Sequence, residues 1–371
     1  MMALLTSIAR LLLPLSLSVP LAAMAAEPAA STPKPEAITV DADGTIHVDG
    51  LAVPLSDFLS PEAKAVQAAR LVRPPVPVLR EDGVPAARAG TDTFQKAVTA
   101  KWLAVYPARI ETVTMNGVRT DVVTPASGVA PENQHRVLIN LHGGGFFAGA
   151  VSGGLAESVP VAGRGRIKVV TVDYRLAPEN RFPAASEDVE QVYRALLKQY
   201  KPAEIGIYGC SAGGTLVAQS VAWLQSRKLP MPGAVGIFCS GAMPGFWYGG
   251  DSFATTQMMN ARLQATDDDM KNGAGSLYLA GRDQNDPLIS PALFPEVLAK
   301  FPPTLLVTST RDSAMSNALI TNTRLLAAGV ETQLFVQEGL GHGEFTYVVG
   351  SDEAKQAYDV IWRFFNKHLA R

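Results

Sequence analysis

The run Gly-Cys-Ser-Ala-Gly at residues 209–213 holds the residue whose type and surroundings most directly indicate chemistry. Ser211 follows an apolar run and precedes a helical pattern that begins at Ala212. A serine on such a turn between a strand and a helix projects its hydroxyl from a strained backbone, and small neighbours let the two elements approach closely. This context predicts that Ser211 is a catalytic nucleophile.

A second glycine-rich run, His-Gly-Gly-Gly at residues 142–145, follows directly after another predicted strand. Glycines leave backbone N–H groups unobstructed, so such a loop can stabilise the negative charge that develops on a carbonyl oxygen under attack. We expect the amides of Gly143, Gly144 and Ala212 to form this oxyanion hole. The ring of His142 is expected to have a structural role.

Among the chain's five histidines, His342 is the expected general base. It lies in the glycine-rich run 339–343, just after the last predicted strand, where a loop can carry its imidazole to the nucleophile. His47 and His135 precede the core strands, and His368 lies within the last helical pattern.

The expected acid is Asp312, which follows the predicted strand 304–308 and precedes the catalytic histidine in the chain. Its carboxylate would hold the imidazole in the required tautomer and stabilise the imidazolium. Three other carboxylates are weaker candidates by position, because Asp283 and Asp286 precede this strand and Glu338 is close to the histidine in sequence.

The segments that must position these residues alternate short apolar, β-branched runs with helical patterns, which is typical of an α/β fold with a largely parallel sheet. An Asn-Gly turn between two further runs predicts an antiparallel pair ahead of them, giving about eight strands flanked by helices. The predicted strands are 109–115, 118–123, 136–141, 168–174, 205–208, 234–238, 304–308 and 332–336. The predicted helices are 186–200, 212–227, 316–328 and 352–369.

Two segments fall outside this alternation, at residues 51–105 and 243–290. We predict that both form a helical cap over the carboxyl edge of the sheet, where open parallel sheets bind ligands, and that residues 106–371 form the catalytic domain. Aromatic residues within or near the cap are candidates for binding substrate, although they are as readily explained as the core of the cap. These candidates are Phe146, Phe147, Phe246 and Trp247.

Residues 1–26 have the pattern of a secretory signal peptide. Arg10 is their only charged side chain, residues 11–21 are almost wholly apolar, and Ala-Met-Ala at 23–25 fits the cleavage pattern. A polar linker follows at 27–50. The chain is therefore expected to be periplasmic or secreted, without stable membrane insertion after cleavage; an uncleaved anchor is the alternative, disfavoured by the shortness of the apolar run.

Lys and Arg together number 32 and Asp and Glu number 34, so the chain lacks the basic excess typical of proteins that bind a nucleic acid backbone. The sequence has no metal-ligand spacing of His or Cys, and the glycine-rich run 143–149 lacks the lysine of a phosphate-binding loop. The sequence therefore predicts neither a nucleic acid partner nor a cofactor.

With these residues assembled, the sequence resembles the bacterial hormone-sensitive lipase family of α/β-hydrolases, from about residue 51 to the end. The resemblance rests on His-Gly-Gly-Gly-Phe at 142–146, Tyr-Arg-Leu-Ala-Pro-Glu at 174–179 with Phe-Pro-Ala-Ala at 182–185, Gly-Cys-Ser-Ala-Gly-Gly at 209–214, and Asp-Pro-Leu-Ile-Ser-Pro at 286–291. It implies a capped esterase that acts mostly on small esters with short or medium acyl chains, without a cofactor. Similar proteins often form a homodimer through the last strand and helix.

The sequence departs from the family pattern at two places. Cys210 stands before the nucleophile where the family usually has Asp, and Ser316 and Asn317 replace an acidic pair after the catalytic acid. Both changes alter local support without removing a catalytic group. Cys210 and Cys239, the only cysteines, each follow a predicted strand; we expect two buried thiols, with a disulfide as the alternative if those strands are neighbours.

Two other functions remain open on the same residues. A small-molecule binding protein can use this fold, although such proteins resemble hydrolases that have lost the catalytic histidine, which this chain retains at His342. A peptidase or an acyltransferase can use the same triad, because the pocket decides the leaving group and the acceptor.

Overall fold

The computed structural model describes residues 39–48, 51–72, 79–244, 250–259 and 274–370. The strands are β1 (Thr39–Val40), β2 (Ile46–Val48), β3 (Leu51–Val53), β4 (Ala108–Met115), β5 (Val118–Pro125), β6 (Val137–Leu141), β7 (Lys168–Val172), β8 (Ile205–Cys210), β9 (Ala234–Phe238), β10 (Thr304–Arg311) and β11 (Thr332–Gly341). The helices are α1 (Pro61–Leu71), α2 (Val84–Val105), α3 (Gly153–Gly165), α4 (Ala184–Leu196), α5 (Ala212–Ser226), α6 (Asp251–Met259), α7 (Pro295–Leu298), α8 (Met315–Ala327) and α9 (Asp352–His368).

Strands β4 to β11 form one eight-stranded sheet in the order β11-β10-β9-β8-β6-β7-β5-β4. Strand β5 is antiparallel to both β4 and β7, and all other neighbours are parallel. The predicted Asn-Gly turn joins β4 to β5, with Asn116 and Gly117 both at positive φ. The predicted α/β fold with about eight strands is therefore confirmed.

Alternate residues of the central strand β6 enter two separate hydrophobic clusters. Ile139 and Leu141 pack in the cluster that contains residues of α4 and α5, whereas Leu138 packs in the cluster that contains residues of α3 and α9. Successive side chains of a strand point to opposite faces, so helices cover the sheet on both sides. This double burial explains why the central strands are continuous apolar runs in the sequence.

Helix α3, between β6 and β7, is absent from the predicted helices. It begins at Gly153 and Gly154 and contains Pro160, and all three residues have low helix propensity. Tertiary packing explains the helix: a Cβ on Gly154 would lie only 1.9 Å from the Thr171 Oγ1 atom of β7. The glycine lets α3 lie directly on the sheet.

The segments predicted as cap form hydrogen bonds with α8 and with the segment that follows β11. The indole N–H of Trp102, in α2, donates to the Thr346 carbonyl at 2.9 Å. The Ser252 hydroxyl, in α6, accepts from the Ser316 N–H at 2.8 Å. The described residues 39–48 and 51–53, which span the end of the predicted linker and the start of the predicted cap, contain the antiparallel sheet β1-β2-β3.

Candidate active site

Ser211 lies on a strained turn between β8 and α5. Its φ of 60° and ψ of −124° are disfavoured for any residue with a side chain. A Cβ on Gly209 would lie 2.3 Å from the Leu141 carbonyl oxygen, and a Cβ on Gly213 would lie 1.8 Å from the same atom. Only glycine fits at these positions of the nucleophile turn (residues 209–214), because β6, β8 and α5 meet there.

The structure brings the three residues of the predicted triad into one hydrogen-bonded chain. The Ser211 Oγ atom is 2.8 Å from Nε2 of His342, and Nδ1 of His342 is 2.7 Å from Oδ1 of Asp312. A carboxylate accepts hydrogen bonds, so Nδ1 carries the proton and the Nε2 lone pair faces the serine hydroxyl. This arrangement can take a proton from Ser211 as its oxygen attacks a carbonyl.

The pairing of β10 with β11 explains how Asp312 reaches His342. Arg311 and Gly341 are register partners at the ends of these parallel strands, after an irregularity that begins at Ser309. The residues that follow them therefore leave the sheet side by side. The three rival carboxylates do not join this chain; Asp283 and Asp286, for instance, accept backbone N–H groups in their own turns.

Asp312 is wholly buried and is held in its charged form. Its carboxylate accepts the Ala314 N–H at 2.8 Å and the Thr308 hydroxyl at 3.0 Å. Burial acts to raise the pKa of Asp312, but the charge and hydrogen bond of His342 and these two donors outweigh it, and the pKa lies below its ordinary value. A carboxylate that stays ionised is suited to stabilising an imidazolium.

The loop that carries His342 (residues 339–344, the histidine loop) is anchored by Glu344, which the sequence analysis did not identify. Glu344 is buried and accepts the Gly341 N–H at 2.7 Å and the Gln67 amide at 3.2 Å. It also pairs with Arg70 of α1. No sequence signal separates Glu344 from other acidic residues, because its partners in α1 are distant in the chain.

The prediction that Gly143 supplies an oxyanion donor is wrong in this structure. Its N–H donates to Oε1 of Glu157, in α3, at 2.8 Å, so that hydrogen is already used. The sequence could not indicate this acceptor, because α3 itself was missed. A Cβ on Gly143 would lie 3.4 Å from the Cβ of Ser211, so the residue still borders the nucleophile.

The next two N–H groups of the oxyanion loop (residues 142–149) remain for a substrate. The Gly143 carbonyl accepts from the ring of His142 at 2.7 Å, and the Gly144 carbonyl accepts from the N–H groups of Phe147 and Ala148. The N–H of a trans peptide points away from its carbonyl, so the Gly144 and Gly145 N–H groups point away from these partners. Neither N–H has an acceptor within the described part of the chain.

Ala212 remains a candidate donor as predicted. It is the first residue of α5, and the first N–H groups of a helix have no acceptor within the helix. N–H groups without an acceptor at the start of a helix favour negative charge nearby. The structure thus offers Gly144 and Ala212 from the predicted set, and Gly145 in place of Gly143.

The predicted substrate-binding aromatic residues have different environments. Phe146 is only 5% exposed and stacks on Tyr278 with ring centres 4.3 Å apart, which favours the alternative that it is core; its contact with substrate stays a prediction. Phe147 is partly buried, and its ring lies over Gly145, whose Cβ would be 2.6 Å from the Phe147 ring. Phe246 and Trp247 lie outside the described residues.

Two side chains outside the triad hold the ends of the oxyanion loop. The Tyr174 hydroxyl donates to the His142 carbonyl at 2.6 Å. Arg88, in α2, donates to the Phe147 carbonyl at 2.6 Å and makes a two-pronged ion pair with Glu179, whose pKa it lowers to about 2. Helix α2, in the first segment predicted as cap, therefore contacts the oxyanion loop directly.

Cys210 and Cys239 form a disulfide, with Cα atoms 5.3 Å apart. The expectation of two buried thiols is therefore wrong, and the alternative holds because Cys210 ends β8 and Cys239 directly follows the neighbouring strand β9. A Cβ on Gly343 would lie 3.2 Å from the Cys210 sulfur, so the histidine loop packs against this bond. The second departure also has a structural role, since the Asn317 amide donates to the Met243 carbonyl at 2.9 Å.

Within the described ranges, no group of three or more His, Cys, Asp or Glu residues is arranged to hold a metal ion. Nor does any helix there combine the length and apolar character needed to cross a membrane.

The chain is similar in sequence to known hydrolases. A model of the alpha/beta hydrolase fold matches residues 138–346. An esterase of Acinetobacter venetianus is 26% identical over 257 residues, covering 69% of this chain and 81% of the relative. An acetyl-hydrolase of Streptomyces hygroscopicus is 29% identical over 250 residues, covering 66% of this chain and 81% of the relative.

Solved structures agree with the sequence comparison. The crystal structure of an esterase named E25 superposes with a TM-score of 0.75 at 28% identity, covering 87% of this chain and 99% of that one. An esterase from the bacterial hormone-sensitive lipase family superposes with a TM-score of 0.65 at 27% identity, covering 78% of this chain and 98% of that one.

Proposed function

The chain belongs to the α/β-hydrolase family, and we propose on that basis that it hydrolyses carboxylic esters with Ser211 as nucleophile, His342 as base and Asp312 as acid. The observation that carries the proposal is the unbroken hydrogen-bonded chain from the Ser211 hydroxyl to the Asp312 carboxylate. The esterase relatives support the same reaction class.

The proposed reaction has two halves. His342 Nε2 takes the Ser211 proton while Oγ attacks the ester carbonyl, and the Gly144, Gly145 and Ala212 N–H groups stabilise the oxyanion. The imidazolium then protonates the departing alkoxide, leaving an acyl-enzyme. Water attacks the acyl group with His342 again as base, and the proton returns to Oγ as the carboxylic acid leaves.

We propose short to medium acyl chains as substrates. Phe147 lies over Gly145, beside the proposed oxyanion donors, and its apolar ring suits a small acyl group. The acetyl-hydrolase relative points to the same class of ester.

The test compares wild-type protein with Ser211→Ala on p-nitrophenyl esters from acetate to palmitate. We expect wild-type activity to be highest on short chains and to fall by roughly 10³-fold or more in the variant. Wild-type protein without activity on any ester, but with its fold intact, would contradict the proposal and favour a binding protein or a peptidase. Turnover with an added alcohol exceeding hydrolysis would indicate an acyltransferase.

We also propose that the protein acts in the periplasm or outside the cell, after removal of residues 1–26, which lie outside the described residues. The disulfide supports this location, because disulfides persist in oxidising compartments. Amino-terminal sequencing of exported protein should start at Ala26 or Glu27; protein that keeps Met1 and stays in the cytoplasm would contradict the proposal. The expectation of a homodimer stays a prediction.

A further inference from the structure

Glu157 joins the oxyanion loop to the sheet through both of its carboxylate oxygens. Oε1 accepts the Gly143 N–H at 2.8 Å, and Oε2 accepts the side-chain amide of Asn140, in β6, at 2.9 Å. The Asn140 oxygen in turn accepts the Thr171 hydroxyl, in β7, at 2.8 Å. One run of hydrogen bonds therefore leads from the middle of the sheet to the first glycine of the loop.

Gly143 is the backbone link between this carboxylate and the nucleophile. A Cβ on Gly143 would lie 3.5 Å from Oε1 of Glu157, 3.4 Å from the Ser211 Cβ and 3.0 Å from the Cys210 carbonyl oxygen. A shift of the Gly143 peptide would therefore rotate the next peptide, which carries the Gly144 N–H, relative to Ser211. Such a rotation would misdirect an oxyanion donor.

This carboxylate is held where its charge is costly. Burial raises the pKa of Glu157 to about 7, against the hydrogen bonds from the Asn140 side chain and from the Gly143 and Cys210 backbones that lower it. Ionisable groups kept in such places are more often found at functional sites than in ordinary core. Glu157 has no part in the proton transfers of the triad, but it does accept a hydrogen bond from the oxyanion loop.

We propose that Glu157 is a positioning residue for the oxyanion hole, which orients the Gly144 N–H by accepting the Gly143 N–H. The inference rests on the proposed function and adds a residue to it. It also fits the departure at Cys210, because the residue before the nucleophile supplies no carboxylate here and α3 supplies one instead.

Two substitutions of Glu157 distinguish the effect of side-chain length from the effect of charge. Glu157→Asp keeps the charge but withdraws the oxygens by one methylene, whereas Glu157→Gln keeps the length and one acceptor oxygen. The control is Glu204→Asp: Glu204 is buried and likewise accepts a backbone N–H, from Lys201 at 2.7 Å, but precedes the opposite end of β8.

Rates are measured on p-nitrophenyl butyrate per active site, with active sites counted by labelling of Ser211 with a fluorophosphonate. We expect Glu157→Asp to lower kcat by about 10- to 100-fold with KM within about threefold, and Glu157→Gln to keep kcat within about threefold. Binding of a trifluoromethyl ketone, which forms a tetrahedral adduct on serine, should weaken in Glu157→Asp by the same factor as kcat/KM.

Wild-type kcat in Glu157→Asp, or a larger loss in Glu157→Gln than in Glu157→Asp, would overturn the inference. So would an equal loss in Glu204→Asp, since this would assign the effect to general destabilisation. Should Glu157→Asp fail to fold, Asn140→Leu, which releases the other carboxylate oxygen, should lower kcat about three- to tenfold with unchanged KM, and an unchanged kcat would overturn the inference. If wild-type protein neither turns over esters nor labels at Ser211, the proposed function itself has failed; activity that Ser211→Ala abolishes but Glu157→Asp leaves intact refutes only the positioning role.

Discussion

The two backbone turns that meet at Ser211 are supported by different means. The nucleophile turn is held by backbone contacts that only glycine permits and by the disulfide between Cys210 and Cys239. The oxyanion loop has close glycine contacts within itself, since a Cβ on Gly144 would lie 2.2 Å from the Ala148 carbonyl oxygen, but it is joined to α3 and to the segment after β7 by hydrogen bonds with the side chains of Glu157 and Tyr174. Steric exclusion and covalent bonds tolerate little displacement, whereas each hydrogen bond contributes only about 0.5–1.5 kcal/mol to stability.

This difference separates effects on stability from effects on catalysis. Damage to the nucleophile turn should mainly destabilise the fold, because neighbouring elements meet there. Damage to the oxyanion loop should mainly change the rate or its pH dependence, because a small rotation of one peptide alters an oxyanion donor without disturbing the core.

The largest expected effect comes from Gly213→Ala. The new Cβ would lie 1.8 Å from the Leu141 carbonyl oxygen, so the backbone of β6 or α5 must move, and we expect a loss of about 3 kcal/mol or more in the free energy of unfolding. Urea denaturation measures it. The matched control is Gly90→Ala in α2, where nothing lies within 4 Å of the new Cβ and a gain of about 0.5–1 kcal/mol is expected. Equal stability of the two variants would contradict steric support of the turn.

Removal of the disulfide should come next in size. The bond closes a loop of 29 residues, so the double variant Cys210→Ala/Cys239→Ala should lose about 3 kcal/mol of stability. Its kcat per active site should stay within about threefold of wild type, since the glycine contacts still hold Ser211. Melting and kinetic measurements with and without dithiothreitol check this, with the double variant as the reductant-insensitive control. A kcat that falls in step with reduction would mean that covalent support is catalytic as well.

The third effect is a stability difference at Glu157 that depends on pH, so it is smaller than the other two below pH 7 and vanishes in acid. Its pKa is about 7 in the folded protein against an ordinary value of 4.5, so between these pH values the folded state keeps a proton that the unfolded state has lost. Wild-type stability from this group therefore falls as pH rises through that window. Glu157→Gln should be more stable than wild type by about 3 kcal/mol above pH 7 and equal to it well below pH 4.5. A stability difference that stays constant with pH would show that burial does not disfavour this charge.

The residues of the proposed triad were predictable because their signals are local. A serine between small residues after an apolar run marks a tight turn, and His342 and Asp312 follow strands whose order in the chain already places them at one edge of a parallel sheet. The eight-stranded α/β fold was equally predictable, since buried parallel strands appear in the sequence as continuous apolar runs.

Other features could not be predicted from the sequence because they depend on partners distant in the chain. Helix α3 forms despite Gly153, Gly154 and Pro160, since packing on β7 outweighs propensity. The prediction of Gly143 as an oxyanion donor was wrong because its N–H donates to Glu157, which lies in the helix that the sequence did not predict. The disulfide required β8 and β9 to be neighbours, and the burial of Phe146 required Tyr278 to stack on it.

The amino-acid sequence by itself determined which residues form the hydrogen-bonded triad and at which edge of the sheet they lie, because glycine, apolar periodicity and strand alternation act on the backbone locally. Only the tertiary structure decided which N–H groups are left for an oxyanion, that Glu157 and Glu344 hold the two loops, and that the cysteines are joined. The physical reason is that hydrogen-bond acceptors and bonded sulfurs come from elements far apart in the chain, and packing alone brings them together.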